Sequence, residues 1–164
     1  MSTYSAHEIV SPRSSMVSRS AAARVLLVSD DPRWRQACYR RFPISMETAW
    51  VSLLDSALAE LDVQSFDVVV VDTSLPDAAP DRNLPILERM ARRLPVIAVV
   101  HDDLIHAWAL ERRERVSLLR VPPEAGIEQQ ASMIAGLVAE QLHPTVRHAP
   151  RTERHHFMSK TVKG

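Results

Sequence analysis

The chain has 164 residues, the size of one domain, and 46% of them are hydrophobic, which is ordinary for a globular fold. No apolar run approaches about 18 residues and the first 20 residues lack an apolar signal core, so the sequence predicts neither a membrane span nor export. The single cysteine, Cys38, excludes an internal disulfide and is compatible with a reducing cytoplasm, where we expect the protein to reside.

Charge is segregated along the chain although the formal net charge is zero. Residues 25–142 carry 12 Arg against 18 Asp or Glu, about −6, whereas residues 143–164 carry five Arg or Lys against one Glu, about +4. An acidic body with basic ends gives little support to a folded nucleic-acid-binding face. The only lysines, Lys160 and Lys163, lie in the basic end.

The two ends of the chain lack any hydrophobic period. Residues 1–22 are rich in Ser and Ala, and we interpret them as a disordered extension. Residues 143–164 are interpreted as a basic, histidine-containing flexible tail. Residues 23–142 between them are predicted to form the one folded domain.

Within that domain short apolar runs alternate with helical patterns. The predicted elements, in chain order, are a strand at ARVLLVS (23–29), a helix over 31–42, a weak strand at METAWVS (46–52), a helix over 54–61, a strand at FDVVVVD (66–72), a helix capped by Asn83 that runs through Met90 and Leu94, a strand at LPVIAVV (94–100), a helix over 102–115, a strand at VSLLRV (116–121) and a helix over 127–142. Pro85 is tolerated in the first turn of the helix that Asn83 would cap.

Five strands alternating with five helices predict a doubly wound α/β fold, a parallel sheet covered by helices on both faces. Parallel strands require such helical crossovers, and in these sheets function gathers at the carboxyl ends of the strands. No glycine-rich loop follows any predicted strand, which excludes dinucleotide-binding and P-loop sites.

Carboxylates end two of the predicted strands. Asp30 and Asp31 follow the first strand and Asp72 closes the third, so adjacent strands would bring together oxygen ligands that suit Mg²⁺. Two plainer interpretations stay open. Asp30 and Asp31 are favoured as caps of the first helix, and Asp72 is acceptable as a turn residue ahead of Pro76.

The segments VLLVSDDPRWR, FDVVVVDTSLPD and LPVIAVV, followed by a short strand before a proline, resemble the receiver domain of bacterial response regulators over residues 23–142. The resemblance implies a flavodoxin-like receiver fold with a five-stranded parallel sheet. It implies that Asp72 occupies the phosphoacceptor position, with Asp30 and Asp31 beside it for Mg²⁺. No other cofactor is implied.

The sequence departs from the family where the phosphoryl group would be bound. Alignment on Arg35 puts Ser29 and Asp30 at the acidic pair, so one acid is lost unless Asp31 substitutes. The family's Ser or Thr after the fourth strand corresponds to Val100. Its Lys after the fifth strand corresponds to Arg120 or Val121, and Pro122 favours Val121.

These departures predict a stand-alone degenerate receiver, not an enzyme, that signals by contact with a histidine kinase, another receiver or an output protein. Such a protein needs no cofactor or membrane, nucleic acid is not an expected partner, and a homodimer is left open. The alternative is a working receiver that takes phosphate on Asp72 from a histidine kinase with Mg²⁺. A third hypothesis, an α/β enzyme using His101, Asp102 and Asp103, is disfavoured because no nucleophile or cofactor loop accompanies them.

Receivers usually bind partners through their fourth helix and the elements after it. Here that helix carries a wide apolar arc next to arginines, and the predicted partner-binding residues are Ile105, Trp108, Leu110 and Arg112. A helix that is simply packed deeply against the sheet would have the same composition, and this interpretation also stays open.

Overall fold

The structure, a computed structural model, describes residues 22–75, 80–101 and 115–143, and the side chains of all of these except 80–82. The elements are β1 (Arg24–Val28), α1 (Pro32–Arg41), β2 (Glu47–Val51), α2 (Leu54–Val63), β3 (Val68–Asp72), α3 (Pro80–Ala91), β4 (Val96–Val100), β5 (Val116–Arg120) and α4 (Ile127–Leu142). The helix predicted over 102–115 lies outside the described residues, apart from its last residue.

The five strands form one parallel sheet in the order β2-β1-β3-β4-β5. This confirms the predicted doubly wound α/β fold and the predicted adjacency of the first and third strands. Val28 pairs with Val71 across β1 and β3, and Asp72 pairs with Val99 across β3 and β4. The carboxyl ends of the three central strands therefore meet at one edge of the sheet.

Helices cover both faces of the sheet, and alternate side chains of each central strand point to opposite faces. One core cluster joins Val68 and Val70 of β3 to α1 and α4, and the other joins Val69 and Val71 to α2 and α3. All five residues of β3 are buried. Burial on both faces explains the continuous valine run, since each buried valine contributes roughly 1.5–3 kcal/mol.

The start of α3 differs from its prediction. The helix begins at Pro80 and ends at Ala91, so Asn83 is a buried residue inside it and does not cap it. Proline at the first helical position has a suitable φ and needs no amide donor, which explains the earlier start. Pro85 consequently lies further inside the helix than predicted.

The first and last helices bury the faces that their spacing predicts. Trp34, Ala37 and Cys38 of α1 pack in the same cluster as Ile134 and Val138 of α4. Within the described ranges, no helix is both long and apolar enough to cross a bilayer.

Candidate functional site at the carboxyl edge

Asp72 lies where three strands end, and the residue is only 5% exposed. Ser29 follows β1 directly, next to the end of β3, and it is completely buried. Its hydroxyl donates a hydrogen bond to Asp72 Oδ2 over 3.1 Å and accepts one from the backbone amide of Asp31 over 3.2 Å. One oxygen of the carboxylate is thus bound by the neighbouring strand.

The other oxygen of Asp72 is bound by its own loop. Ser74 donates to Oδ1 from its backbone amide at 3.0 Å and from its hydroxyl at 2.7 Å. A carboxylate that accepts from the amide two residues on forms an Asx-turn, a common way to start a loop after a strand. Thr73 ties the same loop to β4 by donating from Oγ1 to the carbonyl of Val99 over 2.8 Å.

His101 approaches Asp72 from the end of β4. Its Nε2 lies 3.3 Å from Asp72 Oδ1, so the two groups form an ion pair when the imidazole is protonated. The strand register explains the contact: Asp72 pairs with Val99, and His101, two residues later, falls on the same face of the sheet. The His101 side chain is about one third exposed, at 34%.

The electrostatics of the site favour an ionised carboxylate. Burial by itself raises the pKa of Asp72, because the charged form loses hydration. The close contact with His101 and then the hydrogen bonds from Ser74, with the charge of His101, outweigh burial, and the pKa of Asp72 is held below its ordinary value. Asp72 is therefore a buried anion at neutral pH.

The other predicted acids are arranged differently. Asp31 caps α1, since its Oδ1 accepts from the amide of Arg33 at 2.8 Å and lies 3.6 Å from the Arg33 guanidinium. Asp30 is exposed to solvent. The plainer interpretation, helix capping, thus describes Asp31, and in the described part of the chain no hydrogen bond or ion pair joins the carboxylates of Asp30 and Asp31 to Asp72.

This donor set does not fit the magnesium site that the resemblance implies. Such a site needs several oxygen ligands free to converge. Ser29 supplies a hydroxyl that is already donated to Asp72, and Asp31 is committed to its helix. Among the described residues, no group of three His, Cys, Asp or Glu side chains is placed to hold a metal ion. Magnesium binding therefore remains a prediction to be tested by titration.

Valines occupy two of the three predicted switch positions, Val100 and Val121. By strand alternation Val121 lies on the face that Asp72 and Val99 occupy, and Val100 lies on the opposite face. Val100 is 4% exposed and ends β4. Val121 is also 4% exposed, belongs to the core cluster of α1 and α4, and donates its amide to the carbonyl of Val100 over 2.9 Å. Arg120 is exposed and, by strand alternation, points to the opposite face from Val121. Neither position left open by the sequence puts a cation on the face of Asp72.

Two contacts of Asp72 were not predicted, those with Ser74 and His101. Serine two residues after an aspartate is a usual Asx-turn pattern. Side chains alternate between the two faces of β4, so His101 lies on the same face as Val99 and could have been predicted to contact Asp72 once the strand register was known. The predicted partner surface, which consists of Ile105, Trp108, Leu110 and Arg112, lies outside the described residues. So do Asp102 and Asp103 of the enzyme hypothesis.

Comparison with known proteins finds likeness at the level of structure. No protein-family model matches the sequence, and no curated protein matches it. Among solved structures, a CheY-like response regulator receiver domain from Methanospirillum hungatei JF-1 is 18% identical with a TM-score of 0.57, covering 73% of this chain and 96% of that one. The signal receiver domain of an HD-domain protein from Pseudomonas fluorescens Pf-5 is 16% identical with a TM-score of 0.56, covering 73% and 97%.

A third similar structure is the phosphorylated cyanobacterial phytochrome response regulator RcpA. It is 17% identical with a TM-score of 0.58, and the match covers 76% of this chain and 97% of that one. The structural neighbours are thus response regulator receiver domains. At these identities the likeness shows the fold: the chain has the flavodoxin-like fold of a receiver domain, with a buried aspartate at the end of the third strand.

Proposed function

We propose that this protein is a degenerate receiver domain that acts in signal transduction by protein–protein contact, without conventional phosphorylation switching. One observation supports the proposal: the chain's own side chains engage both oxygens of the Asp72 carboxylate. The resemblance aligns the family's phosphoryl-binding Ser or Thr with Val100 and its Lys with Arg120 or Val121, and both valines are buried. The receiver fold supports a signalling role.

The energetics of switching support the same conclusion. A phosphoryl group carries about −2 charge, and it shifts a conformational equilibrium only through contacts that differ between the two states. Moving an equilibrium from 1:99 to 99:1 takes about 5.5 kcal/mol, which two or three hydrogen bonds to a charged group supply at about 1.5–3 kcal/mol each. The side chains of Val100 and Val121 offer no such bonds.

A phosphorylation experiment tests this proposal. The full chain is incubated with acetyl phosphate and Mg²⁺, incorporation is measured by intact mass, and the response is measured by amide NMR spectra and light scattering. Asp72→Asn controls for the acceptor, and the double variant Val100→Thr/Val121→Lys restores the missing groups. We expect no conformational response in the natural chain and a response in the double variant. Stable incorporation at Asp72 that changes the association state of the natural chain overturns the proposal.

The alternative function is a working phosphoacceptor, and one observation favours it. The low pKa of Asp72 keeps its carboxylate ionised, which is the form that attacks a phosphoryl group. The test is a Mg²⁺ titration followed by tryptophan fluorescence, because Trp34 lies on α1 just after the acidic loop and Trp50 Nε1 donates to the carbonyl of Ser29 over 2.7 Å. No change at millimolar Mg²⁺ counts against this alternative.

The proposed partners follow from the proposed class. They are other signalling proteins of the cytoplasm, namely a histidine kinase, another receiver or an output protein, with self-association as a further form of contact. Receiver domains are in general signalling modules and not enzymes, and we propose no independent enzymatic activity for this chain.

A further inference from the structure

Exposed apolar side chains in the described part of the chain gather beside one edge of the sheet. The five exposed large hydrophobic residues are Tyr39 (67% exposed), Ile44 (107%), Trp50 (37%), Leu53 (46%) and Val63 (76%). They lie on α1, β2, α2 and the loops that flank β2. In the described sheet β2 is an edge strand. Of these five residues, Tyr39 and Trp50 line one groove, and exposed apolar surface of this kind marks interaction sites.

A groove separates α1 from β2 on this side. It encloses about 400 Å³ and is open to solvent, and its lining residues are Pro32, Arg35, Gln36, Tyr39, Thr48 and Trp50. Aromatic walls with a few polar groups are the usual composition of a binding groove. No residue of this groove contacts Asp72 in the hydrogen bonds and ion pairs of the site, so the two features are separate.

One cation in the groove, Arg35, is held in position and has no acidic partner among the residues that the structure describes. The Arg35 guanidinium lies 3.6 Å from the centre of the Trp50 ring, and the Trp50 indole is itself fixed by its hydrogen bond to Ser29. Arg33 pairs with Asp31, and two further arginines of α1 pair with Glu128 on α4. No carboxylate of the described residues lies within ion-pair distance of Arg35.

The edge strand offers hydrogen-bonding groups to the same groove. The amide of Glu47 donates to Ala23 ahead of β1 over 2.8 Å, so by alternation the backbone groups of Thr48 and Trp50 point away from the sheet. The Thr48 hydroxyl is buried and finds no hydrogen-bond partner among the described residues. Buried polar atoms are normally paired, and Thr48 is one of the residues that line the groove.

We propose that the groove binds an extended acidic segment of a partner protein. The segment adds as a strand to β2, places a carboxylate on Arg35 and inserts an apolar or aromatic side chain between Tyr39 and Trp50. Strand addition supplies backbone hydrogen bonds, and pockets for alternate side chains supply specificity. This inference rests on the proposed function only in taking protein contact as the mode of action.

Charge disfavours two other occupants of the groove, an end of this chain and a second copy of it. Residues 1–24 carry three Arg against one Glu and residues 143–164 are also basic, so neither end of the chain complements Arg35. A second copy docked across a two-fold axis at β2 brings the arginines of one α1 towards those of the other, and like charges at an interface disfavour association.

The test uses a peptide probe selected without bias. Random octapeptides are displayed and selected against the immobilised full chain, and the strongest binder is synthesised and titrated calorimetrically. Arg35→Gln removes the groove cation. Arg33→Gln is its matched control, since it makes the same charge change on the same helix at an 80% exposed side chain outside the groove.

We expect selected peptides rich in Asp or Glu next to aromatic residues, with amide shifts concentrated in Glu47–Val51. Affinity should fall about tenfold or more in Arg35→Gln and stay within about twofold in Arg33→Gln. Circular dichroism of both variants checks that the fold is intact. Peptides without acidic enrichment, equal losses in both variants, or no binder above background each overturn the proposal.

A dimer in light scattering that dissociates in Arg35→Gln assigns the groove to a second copy and also overturns the acidic-segment proposal. Failure of the proposal that the groove binds an acidic segment is distinguishable from failure of the proposed function. The first is measured by peptide affinity without any phosphodonor, and the second by phosphate incorporation at Asp72.

Discussion

The most informative substitution is Ser29→Asp, which places a second carboxylate beside Asp72. In the natural chain the Ser29 hydroxyl donates to Asp72 Oδ2 over 3.1 Å, and both side chains are almost fully buried. The new carboxylate cannot donate that bond while ionised. It also places a second negative charge in a site that holds one anion already.

The magnitude follows from these two changes. A hydrogen bond to a charged group contributes about 1.5–3 kcal/mol, and two like charges about 4 Å apart repel by roughly 4 kcal/mol at an effective dielectric constant of 20. Protonation of one carboxyl relieves part of the repulsion. We therefore expect Ser29→Asp to lower the free energy of unfolding by at least about 3 kcal/mol at pH 8 without Mg²⁺. Ser29→Ala, which loses the hydrogen bond to Asp72 and the acceptor for the Asp31 amide but adds no charge, should cost about 1.5–3 kcal/mol.

Magnesium should restore part of this loss in Ser29→Asp only. A divalent cation between two carboxylates binds the folded state, and a site with a dissociation constant of about 1 mM adds about 1.4 kcal/mol at 10 mM Mg²⁺. Urea denaturation in EDTA and in 10 mM Mg²⁺ measures both effects. The reasoning fails if Ser29→Asp is as stable as Ser29→Ala in EDTA. It also fails if Mg²⁺ stabilises the natural chain as much as the variant.

Three further predictions concern the same region. The pKa of Asp72 is lowered in the folded protein, so ionisation of Asp72 stabilises the fold fully above the ordinary carboxyl pKa of about 3.9. This stabilisation disappears as the pH falls through the lower pKa of the folded state. His101→Ala should therefore move the midpoint of acid unfolding to higher pH, as measured by circular dichroism. Burial, then the charges of Asp72 and Glu128, raises the pKa of the Cys38 thiol to about 12, so Ellman's reagent should leave it unmodified at pH 8 in the folded protein and react fully in urea. Asp72→Asn, which keeps an acceptor for Ser74, should cost about 1 kcal/mol of unfolding free energy, whereas Asp72→Ala should cost about 3 kcal/mol, and equal losses in urea denaturation contradict a structural role.

The fold was predictable from the sequence because its signals are local and strong. The valines of β3 and β4 indicate strands buried on both faces, and the spacing on α1 and α4 identifies their buried faces. The start of α3 was not predicted because Pro80 and Asn83 are both good residues for a helix start. Only the packing that buries Asn83 decides between them.

The site was predictable in position but not in its contacts. The order of strands brings Asp72 to the edge beside Ser29, as the sequence predicts. Whether Asp31 turns to Asp72 or caps its own helix is decided by the extended backbone at Asp31 and by the amide of Arg33, neither of which is visible in composition. The approach of His101 depends on the register between β3 and β4, and a one-residue shift would turn its side chain away.

These contacts give a physical reason for an aspartate at the end of β3 that does not depend on phosphate chemistry. The carboxylate joins three segments that are distant in sequence: Ser29 after β1, Ser74 in its own loop and His101 after β4. A neutral apolar residue would leave the Ser29 and Ser74 hydroxyls without their acceptor, and each buried unpaired group costs about 1–3 kcal/mol. The anion is in turn stabilised by His101 and by Ser74, which is why its pKa falls despite burial. Asp72 can thus be required for the shape of the carboxyl edge, and a partner that recognises that shape needs no phosphoryl group on it.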